Sequence, residues 1–424
     1  MTNPVFSATI SPMKSKRIAI VTDWLTDRGG AEHVNMALAE MFPGAVIFTS
    51  VFTPEAFPEL KGREVRTTWL QKLPAVLRKK HQMLLPFFPR AFEKLNLSEF
   101  DLIISSSSSG FSKCVKKTRP EQAHICYCHT PVRFLYHARQ EYVKEYPLPW
   151  FLKPFKWTLP LLLDVLTKKD QAAAKNVDYF LANSDFVGKR VKEFYHRDAK
   201  TIYPCVDTES FLKAKKSPPP PFTKGAETPE RKNPPAPLYP FATTLRVNFR
   251  GQEYFLALGR FIPYKKFDLL VETFAKNKLP LKLVGSGPDL ARCKDLAEKL
   301  GAKNIEFLGF AQRETLPMLY AKARAFLFPA EEDFGLTPVE AMCSGTPVIY
   351  FGKGGAVESV GKWGISFAEQ TPVSLQKGIE EFLTKEKTFD PEALRKRGAE
   401  FDVKVFQGKV REFLLTSSPP VGED

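Results

Sequence analysis

No apolar run in these 424 residues is long enough to cross a bilayer. The best of them, Leu159 to Leu166, is interrupted by Asp164, whereas a spanning helix needs about 20 consecutive apolar residues. The opening stretch MTNPVFSATISPMKSKR lacks the apolar centre of a secretory leader. Cysteine is sparse and unpatterned. Cys114, Cys126, Cys128, Cys205, Cys293 and Cys343 sit in apolar context without disulfide-framework spacing, which fits a reducing compartment and makes the cytoplasm the expected location. A zinc site at His124, Cys126, Cys128 and His129 is disfavoured, because the first three alternate along one strand and no Cys-x-x-Cys spacing is present, so no metal is expected. Acidic side chains are outnumbered, 47 Asp and Glu against 62 Lys and Arg, leaving a formal charge of +15. Such a balance favours an anionic partner: nucleic acid, an anionic membrane face or a phosphorylated substrate. Nucleic acid is not expected, since no interleaved aromatic and basic recognition element or known binding module is evident.

What is present reads as two α/β units in tandem. From Arg17 an apolar strand (RIAIVTD) leads through Arg28-Gly29-Gly30 into an amphipathic run and a second strand (GAVIFTSVF), with further strands at Asp101–Ser105, His124–Cys128 and Tyr179–Asn183. Residues Lys213 to Pro240 are dense in proline and charge and read as a linker or surface insertion. Beyond it the alternation resumes through YFLALG, LKLVGSG, IEFLGF, AFLFPA and PVIYFG. The boundaries expected are an N-terminal Rossmann-like domain over 16–205, a connection over 206–250, a C-terminal Rossmann-like domain over 251–400, a helix over 401–416 returning to the first domain, and a frayed tail over 417–424. Two doubly wound sheets place a crevice between their carboxyl ends, where open α/β folds bind ligands.

The stretch Glu332 to Glu340 follows the strand AFLFPA and so lies at such an end. Thr337 is placed to cap the next helix, with Pro338 at its first position and Glu340 completing a capping box; Gly345 would close the helix. Capping accounts for Glu340. It does not account for Glu332, Phe334, Gly335 and Leu336, where a carboxylate and a glycine precede a helix N-terminus whose free amides suit a phosphate. A polyol attached to a diphosphate would satisfy both. Arg260, Lys265 and Lys266 precede another helix, where cations oppose the helix dipole unless an anion is bound, which makes Arg260 and Lys265 candidates for a diphosphate clamp. Gly285 and Gly30 each follow a strand and permit close backbone approach; the first belongs to a lone Gly-x-Gly, and neither makes a Gly-x-Gly-x-x-Gly fingerprint. His129 and Arg133 lie just past the strand HICYC, able to reach a sugar hydroxyl and a phosphate. Basic residues Arg78, Lys79 and Lys80, next to Phe87 and Phe88, suit an anionic lipid surface, and Tyr146–Trp157 extends the same aromatic and basic character.

Together these motifs resemble the retaining glycosyltransferases with the GT-B fold known as glycosyltransferase family 4, across most of the chain. Glu332 and Glu340 match that family's two carboxylates, and Arg260 with Lys265 its phosphate-binding pair. Cys128-His129-Thr130-Pro131-x-Arg133, Ala182-Asn183-Ser184-x-Phe186-Val187, Tyr203-Pro204-x-Val206-Asp207 and Gly352-Lys353-Gly354-Gly355-Ala356-x-Glu358 are similar to motifs of the mannosyltransferases that build lipid-linked bacterial surface polysaccharides. The resemblance implies a sugar-nucleotide donor such as GDP-mannose, a lipid-linked saccharide acceptor, no metal or other cofactor, and work at the inner face of the cell membrane. It assigns the ribose to Glu340, the donor sugar to Glu332 and the Phe334–Leu336 backbone, the diphosphate to Arg260 and Lys265, the region of the anomeric carbon to His129, and the phosphates or acceptor to Gly30. A sugar-nucleotide epimerase on the same architecture and a basic nucleic-acid-binding protein are the alternatives from other classes.

Overall fold

The computed structural model describes residues 16–79, 81–108, 111–140, 143, 157–212 and 254–416. Lys80, Tyr146 to Lys156, the proline-rich stretch 213–253 and the tail 417–424 lie outside them. Two parallel sheets organise the chain. The first has the order β3-β2-β1-β4-β5-β6-β7, formed by β1 (Ile18–Thr22), β2 (Val46–Thr49), β3 (Val65–Thr67), β4 (Leu102–Ser107), β5 (Ala123–Cys128), β6 (Tyr179–Ala182) and β7 (Ala199–Thr201). The second runs β10-β9-β8-β11-β12-β13, from β8 (Tyr254–Leu258), β9 (Leu281–Val284), β10 (Ile305–Gly309), β11 (Ala323–Phe328), β12 (Val348–Phe351) and β13 (Gly364–Phe367). The helices that matter below are α1 (Gly30–Met41), α2 (Ala75–Lys79), α3 (Asp185–Tyr195), α4 (Phe267–Asn277), α5 (Leu336–Cys343) and α6 (Val403–Thr416).

The near-continuous apolar runs follow from burial on both faces, the usual state of a parallel strand. Alternation then sorts neighbours into different cores: Ala19, Val21 and Ile103 enter one, Ile18, Ile20 and Ile104 the other. The second sheet divides likewise, with Phe255 and Leu327 on one side and Leu256 and Phe326 on the other. Strand order reverses between β1 and β4 and again between β8 and β11. The residues after those four strands therefore define the crevice.

The expected connection is packed into the fold at its start. Val206 and Phe211, expected in the connection, are buried in a core of the second domain, and Val206 bridges to Asp402 just before α6. Helix α6 crosses back: Phe406, Val410 and Leu414, four residues apart, pack with Ile18, Ile20 and Leu38 of the first domain. The Phe406 ring meets Tyr127 edge-on at 5.7 Å.

The expected lipid-facing segment needs one correction. Phe88 is fully buried, edge-on to Trp24 and Phe92, because it begins a helical turn that points into the first core. Phe87 is 53% exposed and meets Trp69 edge-on, and α2 adds exposed Val76 and Leu77. Arg78 donates to the Leu73 carbonyl at 3.1 Å. Lys79 is the last residue of α2. Among the described residues no helix is long and apolar enough to cross a membrane.

Because α6 fills a core of the opposite domain, Phe406→Ala should lower stability by about 3–5 kcal/mol through the cavity it leaves. Calorimetric melting checks this, and the transition displaced should be that of the first domain, although the substitution lies at the far end of the chain.

Candidate active site

The crevice is lined by the loop after β11, the loop after β8 and the N-termini of α1 and α5. The Glu332 carboxylate forms an ion pair with Lys265, both largely buried. Lys265 ends a short turn, Pro263–Lys265, and Lys266 follows in left-handed backbone (φ 56°) to start α4. Arg260, exposed at the end of β8, projects from the same loop. Acidic and basic candidates thus emerge from the two strands that flank the switch point of the second sheet.

Helix α5 begins two residues earlier than the sequence suggests. Its N-cap is Gly335 (φ 85°), no side chain caps it, and Thr337 is its second residue, so the capping box proposed for Thr337 and Glu340 does not form. The reason is steric: a Cβ at Gly335 would lie 2.9 Å from the Phe328 ring, so the glycine can make the sharp entry and the helix starts there. Phe334 turns inward against Tyr203 and Phe401 at 5.5 and 5.4 Å. Leu336 approaches Gly30 across the crevice, where a Cβ on Gly30 would be 3.1 Å from its side chain. Two helix N-termini with free amides therefore converge from opposite domains.

Gly285 has a visible reason of its own. Its Cβ would stand 1.9 Å from the Gly259 carbonyl oxygen, so the glycine lets the β8 and β9 end loops lie against each other. A similar brace holds the acidic loop: the Gly355 amide donates to the Glu332 carbonyl at 2.8 Å.

Glu340, freed from capping, is buried and accepts from the Tyr320 hydroxyl at 2.9 Å. Burial pushes its carboxyl up to about 7, against the opposing effects of that hydrogen bond and of Arg313. Arg313 donates to Nε2 of His33 at 2.9 Å, a contact from the second domain to α1 of the first. His129, just past β5, is 8% exposed with Nε2 2.8 Å from the Ser106 hydroxyl. Burial lowers it to about 4, so it is a neutral imidazole at pH 7, suited to hydrogen-bonding a hydroxyl and not to stabilising negative charge as a cation.

Arg133 is brought into the crevice but is engaged there. It pairs with Asp333 and lies over the Tyr264 ring at 4.8 Å. Arg190 of α3 reaches the other Asp333 oxygen at 2.7 Å, and Ser184 donates to the Asp333 carbonyl. Glu358 accepts from the amides of Asp185 and Phe186 at 2.7 and 2.8 Å, closing the N-terminus of α3 from the opposite domain. None of these contacts is legible in the sequence: Asp333, Ser184 and Glu358 lie inside motifs that give them no role of their own, and Arg190 carries no local signal.

Two family profiles cover the chain in order: Glycosyltransferase Family 4 over residues 28–210 and Glycosyl transferases group 1 over 246–401. The chain is 23% identical over 317 residues to an alpha-1,3/1,6-mannosyltransferase of Mus musculus, covering 69% of this chain and 66% of that protein. It is 31% identical over 102 residues to O-antigen chain mannosyltransferase C of Escherichia coli, covering 23% of this chain and 28% of the relative. An uncharacterized glycosyltransferase of Methanocaldococcus jannaschii is 30% identical over 154 residues, 33% of this chain and 40% of that one. The chain thus spans less than two thirds of the length of each of these curated relatives. Among solved structures, HepE of Anabaena in complex with UDP superposes with a TM-score of 0.62 at 16% identity, covering 94% of this chain and 99% of that one. Sucrose-phosphate synthase of Thermosynechococcus elongatus gives 0.63 at 18% identity, over 95% and 100% of the two chains. At those identities the superpositions establish the fold, two Rossmann-like domains of the GT-B type.

The buried carboxyl gives a stability test. Glu340 holds its proton in the folded protein up to about 7 but only to about 4.5 when unfolded. It therefore lowers stability as pH rises through that window, by about 3 kcal/mol once both states are ionised. Glu340→Gln keeps an acceptor for Tyr320 and removes the charge. Melting should show the variant more stable than the parent at about pH 8, with the difference gone at about pH 4.

Proposed function

Since the chain belongs to the glycosyltransferases of family 4, with the two halves of the GT-B fold in sequence order, we propose that it transfers a hexose, with retention of configuration, from a sugar nucleotide to a lipid-linked saccharide. Mannose from GDP-mannose is the donor proposed, on the strength of mannosyltransferase relatives. The observation that carries the reading is the pairing of Lys265 with Glu332 across the ends of β8 and β11, with Arg260 exposed on the Lys265 loop and Leu336, four residues on from Glu332, against Gly30 at the start of α1.

The diphosphate fits between Arg260, Lys265 and the amides that open α5, where positive charge and helix dipole act together. Lys265 is then shared between the diphosphate and Glu332, which leaves a Glu332 oxygen for sugar hydroxyls. Ribose hydroxyls reach the buried Glu340 carboxylate, and donation to it favours its ionised form, so donor binding near neutral pH releases a proton. His129, neutral, holds a hydroxyl near the anomeric carbon. Stabilising the departing diphosphate and positioning the acceptor are the catalytic contributions, and the basic pair supplies the charge that a metal would otherwise provide. The inner membrane face is the proposed place of work, with exposed Trp69, Val76, Leu77 and Phe87 beside Arg78 as the surface that meets anionic lipid.

A screen of sugar nucleotides for diphosphate release, run in a chelator with a lipid-linked disaccharide as acceptor, tests the reading; turnover of GDP-mannose is expected, and no turnover of any donor would remove it. In the same assay Arg260→Ala should cut turnover by about 100- to 1,000-fold, the loss typical of one charge-stabilising donor, with an unchanged melting temperature. Sedimentation with anionic liposomes and not with oligonucleotides, at one salt concentration, is the outcome expected for the surface.

A further inference from the structure

Glu332 and Asp333 are neighbours whose side chains answer to different domains. Glu332 pairs with Lys265 of its own domain. The Asp333 side chain is 11% exposed and takes a guanidinium on each oxygen, Arg133 from the loop after β5 and Arg190 from α3, both from the first domain. Its main chain accepts from Ser184, which also caps α3 by accepting from the Val187 amide at 3.1 Å. Glu358 completes that cap from the second domain. One end of α3 is thereby fixed to the loop that carries Glu332.

A buried carboxylate between two guanidiniums is rigid in direction as well as strong, because each planar fork allows few geometries. Removing the carboxylate leaves two guanidiniums facing one site inside the interface, with Glu331 3.8 Å from Arg190 as the remaining acidic neighbour. The three residues therefore favour one register of the two domains. In it His129 and Gly30 of the first domain stand across from Glu332 and the start of α5.

We infer that Asp333 is a positioning residue, acting through Arg133 and Arg190 to set the closed register in which a donor held by the second domain meets the first domain's half of the site. The inference rests on the proposed glycosyl transfer. It separates two functions within five residues: Glu332 and the 334–336 backbone hold donor, and Asp333 holds the opposite wall.

The test is a kinetic split in the full-length protein. Asp333→Asn preserves shape and removes the charge; kcat should fall roughly ten- to hundredfold, the scale of a small misplacement of reacting groups, while donor KM and donor affinity by calorimetry move less than about threefold. Arg190→Gln, on the other side of the crevice, should reproduce the loss, and the double variant should be no worse than the poorer single one. Small-angle scattering of the ligand-free protein should show a larger radius of gyration for both variants. A loss confined to donor affinity, or single effects that multiply in the double variant, overturns the inference, as does an unchanged radius of gyration. If Asp333→Asn fails to fold, Arg190→Gln and the milder Arg190→Lys, which keeps charge but not the fork, decide by the same readouts. Scattering does not depend on turnover, so a parent protein that consumes no sugar nucleotide removes the functional reading alone.

Discussion

Asp333 ties the two domains together from inside the loop that also carries Glu332. The chain reverses direction there under tight steric limits. Gly335 enters α5 beneath the Phe328 ring, Gly354 and Gly355 pass close to the 332–333 backbone, and Phe334 is wedged between Tyr203 and Phe401. A loop held on so many sides has little freedom, so the directions of Glu332 and Asp333 are set by backbone packing before any ligand arrives. Helix α6 adds a second tie, placing Phe406 in the first domain's core while Asp402, just ahead of it, bridges to Val206.

Burial sets the charge states around the crevice. Desolvation keeps His129 neutral and brings Glu340 near the neutral range, while Glu332 retains a cationic partner and Arg260 remains exposed. The neutral imidazole and buried carboxyl suit hydroxyls, and the basic pair suits phosphate oxygens. The first domain contains a further buried pair, Lys113 with Asp170, whose other oxygen accepts from Tyr136 three residues beyond Arg133. That pair anchors the segment leading away from Arg133, and so lends stiffness to one arm of the Asp333 clamp.

Much of the architecture was legible in the sequence because a parallel strand buried on both faces leaves an apolar run, and a switch point leaves functional residues at strand ends. RIAIVTD, DLIIS, YFLALG and AFLFPA were found that way; β3, β7 and β13 were not, because they are short or mixed in character. Arg260, Lys265, Glu332 and Gly30 are candidates because they stand just past strands, and the structure brings Lys265 to Glu332 and Gly30 to Leu336. The local rules misread Thr337 and Phe88. A capping box was a sound expectation for Thr337-Pro338-Val339-Glu340, but the glycine two residues earlier could make a sharper turn, and Tyr320 claimed the glutamate. Phe87 and Phe88 are indistinguishable by composition, and only the direction of the turn sends one into the core.

What the sequence alone determined is the pair of doubly wound sheets and the family to which the chain belongs, both of which depend on patterns within a few residues of one another. Tertiary structure decided the charge of His129 and Glu340, the burial of Phe88 and the partnership of Asp333 with Arg133 and Arg190. Those depend on groups 143 and 200 positions apart in the chain. Desolvation and ion pairing act through space, and their strength is set only when folding brings such distant groups into one water-poor contact.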